Sequence, residues 1–304
     1  MKQPRIGIAL GSGSARGWAH IGVLRALMAA GIEPAVVTGS SIGALVGAAY
    51  VSHNLDRLEE WVRDMTWWDV VRFMDVGVAG GGFIQGERLM RVFQERVEDV
   101  PIESLPVTYA AVATDLASGQ EQWLQSGSLI EAVRASIALP GLFTPMRVDG
   151  QWLMDGGLVN PVPVSVCRAL GADTVIAVNL NGGIVGKHLS RHAGRLTAAQ
   201  EQDLFDQLKG RLNDGLALFG LKGAEPEEPE APGLFEVLAG SLNIMQDRIT
   251  RSRMAGDPPE VVLAPRLSGI GLLEFDRADE AIAEGRRCTE QSLSHIAGMA
   301  GGGH

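Results

Sequence analysis

Twice within its first fifty residues the chain runs from a short aliphatic segment into a glycine- and serine-rich turn and out into an apolar helix. "RIGIAL" (5–10) reads as a buried strand and "GSGSARG" (11–17) as the turn that follows. Residues 14–32 read as a helix with Ile21, Leu24, Leu27 and Met28 on its apolar side and Gly31 at its end. "PAVVTG" (34–39) gives a second strand, and Ile42 to Tyr50 a second helix. Strands alternating with helices at this spacing pair in parallel and carry the helices on the sheet faces. The pattern therefore predicts an α/β three-layer sandwich with a mostly parallel central sheet.

Residues 4–182 continue this plan as one core domain. "VTYAAVATDL" (107–116) and "ADTVIAVNL" (172–180) are strand-like, and "SLIEAVRASIA" (128–138) is helical. "TPMRVDGQWLMDGG" (144–157) forms a hairpin turning at Asp149-Gly150, and "VPVSVCRALG" (162–171) a helix closed by Gly171. Residues 183–233 are a variable polar segment with a mixed helix near 197–220 and the linker-like "AEPEEPEAPG" (224–233). Residues 234–304 form a helix–strand–helix extension that docks on the core. In it, Leu234, Leu238, Leu242, Met245 and Ile249 make an apolar stripe expected to pack inward, "EVVLAP" (260–265) is a strand, and a final helix runs from about 276 to 296.

Composition narrows the function. With 304 residues, 46% hydrophobic and 20% charged, the chain can bury a full core. A net charge of −10 without any Lys/Arg cluster argues against a nucleic-acid partner. The two cysteines, Cys167 and Cys288, lie far apart and have no ligand-like spacing, so no metal site or disulfide framework is expected and a reducing, cytoplasmic home fits. The apolar run before Arg16 is too short for a secretory leader. Residues 34–55 lack Asp, Glu, Lys and Arg and are long enough to cross a bilayer, but Pro34, Gly39, Ser40, Ser41 and Gly43 suit a buried strand and a packed helix instead.

Ser41 is the centre of Gly39-x-Ser41-x-Gly43. At this glycine content such a motif arises by chance about 0.3 times per chain, so the context carries the signal. Between a β-branched strand and a small-residue helix, the turn matches a tight bend that presents a nucleophilic hydroxyl at a helix N-terminus. Gly39 and Gly43 then stand where side chains would crowd the bend. An ordinary strand-to-helix turn is the alternative. A serine nucleophile needs a base. Of the histidines, His20 sits inside the first helix as a packing or hydrogen-bonding residue, His188 and His192 in a polar loop, and His295 and His304 near the terminus; none of these, nor His53, closes a late core strand. A carboxylate is the better candidate. Asp155 in "WLMDGGLVNPVP" follows an apolar strand and precedes Gly156 and Gly157, which let backbone approach closely, although an Asp-Gly pair is more often a plain turn. "GSGSARG" exposes successive N–H groups at a helix N-terminus beside the positive Arg16, as an oxyanion hole requires. A dinucleotide-binding loop fits it less well, because Arg16 replaces the third glycine and no acidic residue closes the second strand.

"GSGSARGWAHIGVL", "GSSIG" and "DGGLVNPVP", in this order, resemble the patatin-like phospholipase family, and its bacterial RssA-type branch, over roughly residues 4–182; "YAAVATDLASG", "RASIALPGLFTP" and "RMAGDPP" (253–259) add to the likeness. The resemblance implies a patatin-like fold and a serine–aspartate pair without a catalytic histidine, hydrolysing acyl esters of lipids with no metal or cofactor. By position, Ser41 would be the nucleophile, Asp155 the base, and the N–H groups around Gly13, Ser14 and Arg16 the oxyanion hole. It further implies a lipid or acyl-ester substrate reached from the cytoplasm, with transient membrane contact and the oligomeric state left open. One departure stands out: Ser12 and Ser14 occupy positions the family usually gives to glycine. Serine does not freely take a positive φ, so a differently shaped hole is expected. "RASIALPGLFTP" and "WVRDMTWWDVVRFM" (61–74) are the expected walls of an acyl trough, with Trp61 in the core and Trp67-Trp68 either core or lid. The competing readings are a non-catalytic or weakly catalytic lipid-binding regulator, an acyltransferase and a nucleotide-binding protein.

Overall fold

A computed structural model of the chain describes residues 4–73, 87–140, 142–182 and 234–300. The expected helix near 197–220, the linker at 224–233, His188, His192 and His304 lie outside them. The chain divides into two compact units, residues 1–185 with 242–304, and residues 186–241; the first carries the central sheet and the site described below.

Its centre is an eight-stranded sheet. β1 (Ile6–Leu10), β2 (Val36–Ser40), β3 (Thr108–Asp115), β4 (Glu121–Leu124), β5 (Met146–Val148), β6 (Gln151–Asp155), β7 (Thr174–Val178) and β8 (Val261–Leu263) are arranged in the order β5-β6-β3-β2-β1-β7-β8, with β4 also on β3. The pairs β3–β2, β2–β1, β1–β7 and β7–β8 are parallel, and β4, β5 and β6 run antiparallel to their neighbours. The parallel strands are buried on both faces. Ile8, Leu10, Val37, Ile176 and Val178 face the main core, while Ala9, Val36, Val175 and Ala177 face a second cluster that includes Val164 and Cys167. Two-sided burial explains why these strands read as continuous apolar runs. The architecture is the three-layer α/β arrangement that the alternating pattern predicts.

The first helix, α1 (Ala19–Ala29), ends where Gly31 takes φ 72°, and the hairpin β5–β6 turns at Asp149 (φ 48°) and Gly150 (φ 85°), the all-positive turn that suits the twist of the strands. Residues 34–55 are not a membrane span but β2 followed by α2 (Ile42–Val51), both buried in protein. No helix among the described residues is long and apolar enough to cross a membrane.

The strand Val261–Leu263 lies against the core as the edge of the central sheet, beside β7. Two expectations for the C-terminal region need revision. The final helix is two, Ala278–Glu290 and Leu293–Ala300. The stripe on the helix Leu234–Gly256 does not pack inward as a whole: Leu238 and Met245 are about half exposed, Leu242 and Ile249 are partly buried, and the buried residues are Asn243, Gln246, Asp247 and Thr250. Asn243 accepts from the buried Arg16 guanidinium at 2.9 Å and Gln246 from the buried Asn181 amide at 3.0 Å, so the buried side of this helix is polar.

Helix Ala278–Glu290 crosses α1 through two glycines. A Cβ on Gly22 would lie 1.9 Å from the Ile282 carbonyl oxygen, and one on Gly285 2.0 Å from that of Ala19. Since α1 carries the glycine-rich turn at its N-terminal end, this crossing anchors the turn. Gly22→Ala is expected to lower the unfolding free energy by about 2 kcal/mol or more, read as a shifted urea midpoint at unchanged slope.

Candidate active site

The turns after β1 and β2 and the end of β6 meet at one end of the sheet, where open α/β sheets bind ligands. Ser41 follows β2 directly and has φ 57°, ψ −126°, a conformation that non-glycine residues rarely adopt. Two absent side chains make it possible. A Cβ on Gly43 would lie 2.1 Å from the Leu10 carbonyl oxygen, and one on Gly39 2.4 Å from the Ala44 nitrogen. The Ser41 N–H donates to Ser136 Oγ at 2.9 Å, and Ser136 Oγ–H donates to the Val112 carbonyl at 2.6 Å.

Ser41 Oγ donates to Asp155 Oδ2 at 2.6 Å. Asp155 is fully buried and held from four sides. Its Oδ1 accepts the Gly157 N–H at 2.7 Å, its N–H donates to the Ala138 carbonyl at 3.0 Å, and its carbonyl accepts the Thr114 hydroxyl at 2.8 Å. Gly156 and Gly157 are glycines because a Cβ would meet the Val112 carbonyl at 2.1 Å and Gln246 Nε2 at 2.5 Å. Burial raises the Asp155 carboxyl from 3.8 to about 6, against the opposing hydrogen bonds from Ser41 and Gly157.

Gly13 and Ser14 line the same cavity as Ser41, together with Ser12 and Ile42. Their N–H groups make no hydrogen bond among the described residues, whereas those of Ser12 and Ala15 donate to the Pro161 and Leu272 carbonyls. Arg16 is placed differently from the expectation. It is wholly buried outside the cavity lining, where Nε donates to the Gly13 carbonyl at 3.1 Å and Nη2 to Asn243 Oδ1 at 2.9 Å. Burial lowers its guanidinium to about 10. Arg16 thus braces the turn from behind. Ser14 takes a positive φ, 53°, the conformation that serine does not freely adopt.

His20 is buried, and its Nε2 lies 2.7 Å from the Gly11 carbonyl, to which it donates; burial lowers the ring to about 4. It is a neutral hydrogen-bonding residue. The cavity beside Ser41 is open to solvent and its lining is mostly apolar. Ile137, Leu139, Leu142 and Phe143 come from one expected wall segment, Met65 and Val70 from the other. Trp61 packs in the core against Trp18 at 6.4 Å between ring centroids, and Trp68 is 65% exposed. Trp18, Leu45, Leu89, Leu242, Leu272, Leu273 and Phe275 add to the apolar wall. Among the described residues no cluster of acidic, histidine and cysteine side chains is arranged to hold a metal.

Residues 8–168 match the sequence profile of the family described as patatin-like phospholipase. This chain belongs to the patatin-like phospholipase family. It is 35% identical to an "Uncharacterized NTE family protein" of Mycobacterium tuberculosis over 95% of this chain and 91% of that one. It is 36% identical to "Neuropathy target esterase sws" of Drosophila melanogaster and 37% to human "Patatin-like phospholipase domain-containing protein 6", in each case over 58% of this chain and 13% of the relative. Only about an eighth of those two long relatives is therefore represented in this patatin-like chain.

Ser136, Ile42 and Asn243 were not singled out from sequence. Ile42 could have been, since the residue after an elbow serine opens a helix and leaves its N–H unbonded. Ser136 and Asn243 carry no local signal.

Because the Asp155 carboxyl rises on folding, the folded chain holds a proton that the unfolded chain has lost between pH 4 and 6. Its contribution to stability is full below about pH 4 and lost as pH rises through about 6. The displacement from 3.8 to about 6 corresponds to about 3 kcal/mol. Asp155→Asn, always neutral, is expected to match the parent's stability at pH 4 and to exceed it by up to that amount at pH 7.5, measured by urea unfolding at both pH values.

Proposed function

We propose that this patatin-like protein is a serine esterase that cleaves acyl esters of lipids through a Ser41–Asp155 dyad. The observation that carries the reading is the 2.6 Å hydrogen bond to the buried Asp155 carboxylate from the Oγ of Ser41, a residue that lines an apolar cavity. Ser41 Oγ attacks the ester carbonyl carbon as its proton passes to Asp155 Oδ2. The carbonyl oxygen becomes an oxyanion, received by the unbonded N–H groups of Gly13 and Ser14. Collapse of the tetrahedral intermediate breaks the bond to the alcohol, which leaves with the proton from Asp155. Water then attacks the acyl-enzyme, gives its proton to the same aspartate, and releases the acid and free Ser41.

The raised Asp155 carboxyl suits this work, because a base near neutral pH can both take and return a proton. The apolar walls fit the acyl chain, and the esterase and phospholipase names of the relatives fit the reaction class. No metal or cofactor takes part in the proposed cycle, and no nucleic acid is a partner. A cytoplasmic location with transient contact to a lipid surface belongs to the same proposal; both cysteines are free thiols, as a reducing compartment keeps them.

The test is labelling by a fluorophosphonate probe together with turnover of p-nitrophenyl butyrate. The parent protein is expected to label and turn over. Ser41→Ala should lose labelling and about 10³-fold or more of kcat, and Asp155→Asn should lose a comparable factor. The kcat/KM of the parent should fall tenfold per pH unit below about pH 6, where Asp155 becomes protonated. Labelling that survives Ser41→Ala, or a parent that neither labels nor turns over, would overturn the proposal.

A further inference from the structure

The turn that presents Gly13 and Ser14 is held from a part of the chain about 260 residues away. Ser14 Oγ donates to the Leu272 carbonyl at 2.6 Å, and the N–H of Ala15 donates to the same oxygen at 3.1 Å. Trp18 Nε1 donates to the Phe275 carbonyl at 3.0 Å. Four residues of one turn and helix start, counting Arg16 on Asn243, are thus tied to residues 243–275, outside the segment that matches the family profile.

The loop at the far end is itself stiff. Glu274 accepts the Gly271 N–H at 2.8 Å and pairs with Arg277 at 2.7 Å, so the Leu272 carbonyl points from a braced turn. Leu272 and Leu273 also line the cavity, which makes the segment that fixes the glycine-rich turn a wall of the substrate space as well.

These contacts account for a serine at φ 53°. At such a position glycine costs no steric strain, and serine needs a compensating interaction. We propose that Ser14 is a positioning residue, a latch whose hydroxyl, bonded to the Leu272 carbonyl, holds residue 14 in the left-handed conformation and so aims the Gly13 and Ser14 N–H groups at the developing oxyanion. The inference rests on the esterase reading for its catalytic consequence, but the latch itself is a property of the fold. It gives the serine that replaces the family's usual glycine a role in shaping the hole.

Three variants test it. Ser14→Ala removes the hydroxyl and keeps the Cβ at positive φ; Ser14→Gly removes both; Glu274→Ala loosens the loop without touching Ser14. Hydrogen–deuterium exchange of the peptide spanning residues 11–18 should be faster in Ser14→Ala than in the parent by about tenfold or more, whatever the activity. With p-nitrophenyl butyrate, Ser14→Ala should lose on the order of 10- to 100-fold in kcat with KM changed less than about threefold. Affinity for an alkyl trifluoromethyl ketone, which forms a tetrahedral adduct on the serine, should fall by the same factor as kcat/KM. A residue that only supports folding would shift the melting temperature without this parallel. Ser14→Gly should lie between Ser14→Ala and the parent, and Glu274→Ala should move kcat in the same direction by less. Unchanged exchange in Ser14→Ala, or a Ser14→Gly variant as fast as the parent or faster, would overturn the latch. A parent without turnover or probe labelling would sink the esterase reading instead, and the exchange measurement would still decide the latch.

Discussion

Ser41 is held at φ 57°, ψ −126°, and most of the surrounding structure exists to keep it there. A residue in this region costs of order 1–3 kcal/mol and persists only where its surroundings over-determine it. Here, the glycines at 39 and 43 let the strand end and the helix start pass within contact distance of Leu10 and Ala44. The Ser136 hydroxyl takes the Ser41 N–H and is itself fixed on Val112 of β3. Two residues further on, the Ala138 carbonyl takes the N–H of Asp155. The end of the helix Leu129–Ser136 is therefore a bracket, one side on the backbone of Ser41 and the other on that of Asp155, that sets the separation of the two side chains.

In the proposed reading, that bracket sets a carboxylate in the place where a Ser-His-Asp triad has its imidazole. A solvated aspartate is too weak a base to draw a proton from a hydroxyl. Full burial moves Asp155 toward neutrality, and its bonds from Gly157 and Ser41 keep it from rising further. The only histidine near the glycine-rich turn, among the described residues, donates to the Gly11 carbonyl and is too deeply buried to carry charge. Its place is behind the turn, as with Arg16. His20, as expected of a hydrogen-bonding residue, and Arg16 thus both support backbone carbonyls of the turn, and its cavity side presents N–H groups.

Much of the site was legible because it is local. Gly39-x-Ser41-x-Gly43, the doubled strand–turn–helix unit and Asp155-Gly156-Gly157 each encode a bend whose steric demands are met within a few residues, so residue types and spacing reveal it. The walls of the cavity were legible as segments but not as side chains: Leu139, Leu142 and Phe143 line it, while the Trp67-Trp68 pair was the more conspicuous in sequence and does not. The apolar stripe on residues 234–249 misled because amphipathic spacing assumes that the buried face is apolar. Asn243 and Gln246 are buried instead, because they face Arg16 and Asn181 rather than a hydrocarbon core.

From the sequence alone come the α/β class, the nucleophile and base candidates, and the turn that faces them, since all three follow from short-range backbone geometry and from which residues tolerate it. Tertiary structure decided the rest: that Ser41 and Asp155, far apart in the chain, share a 2.6 Å hydrogen bond, that Arg16 turns inward, and that Ser14 is bonded to Leu272. Those facts depend on the order in which strands pair and on how the C-terminal segment packs, and contacts across such separations leave no periodic or compositional trace in the residues that make them.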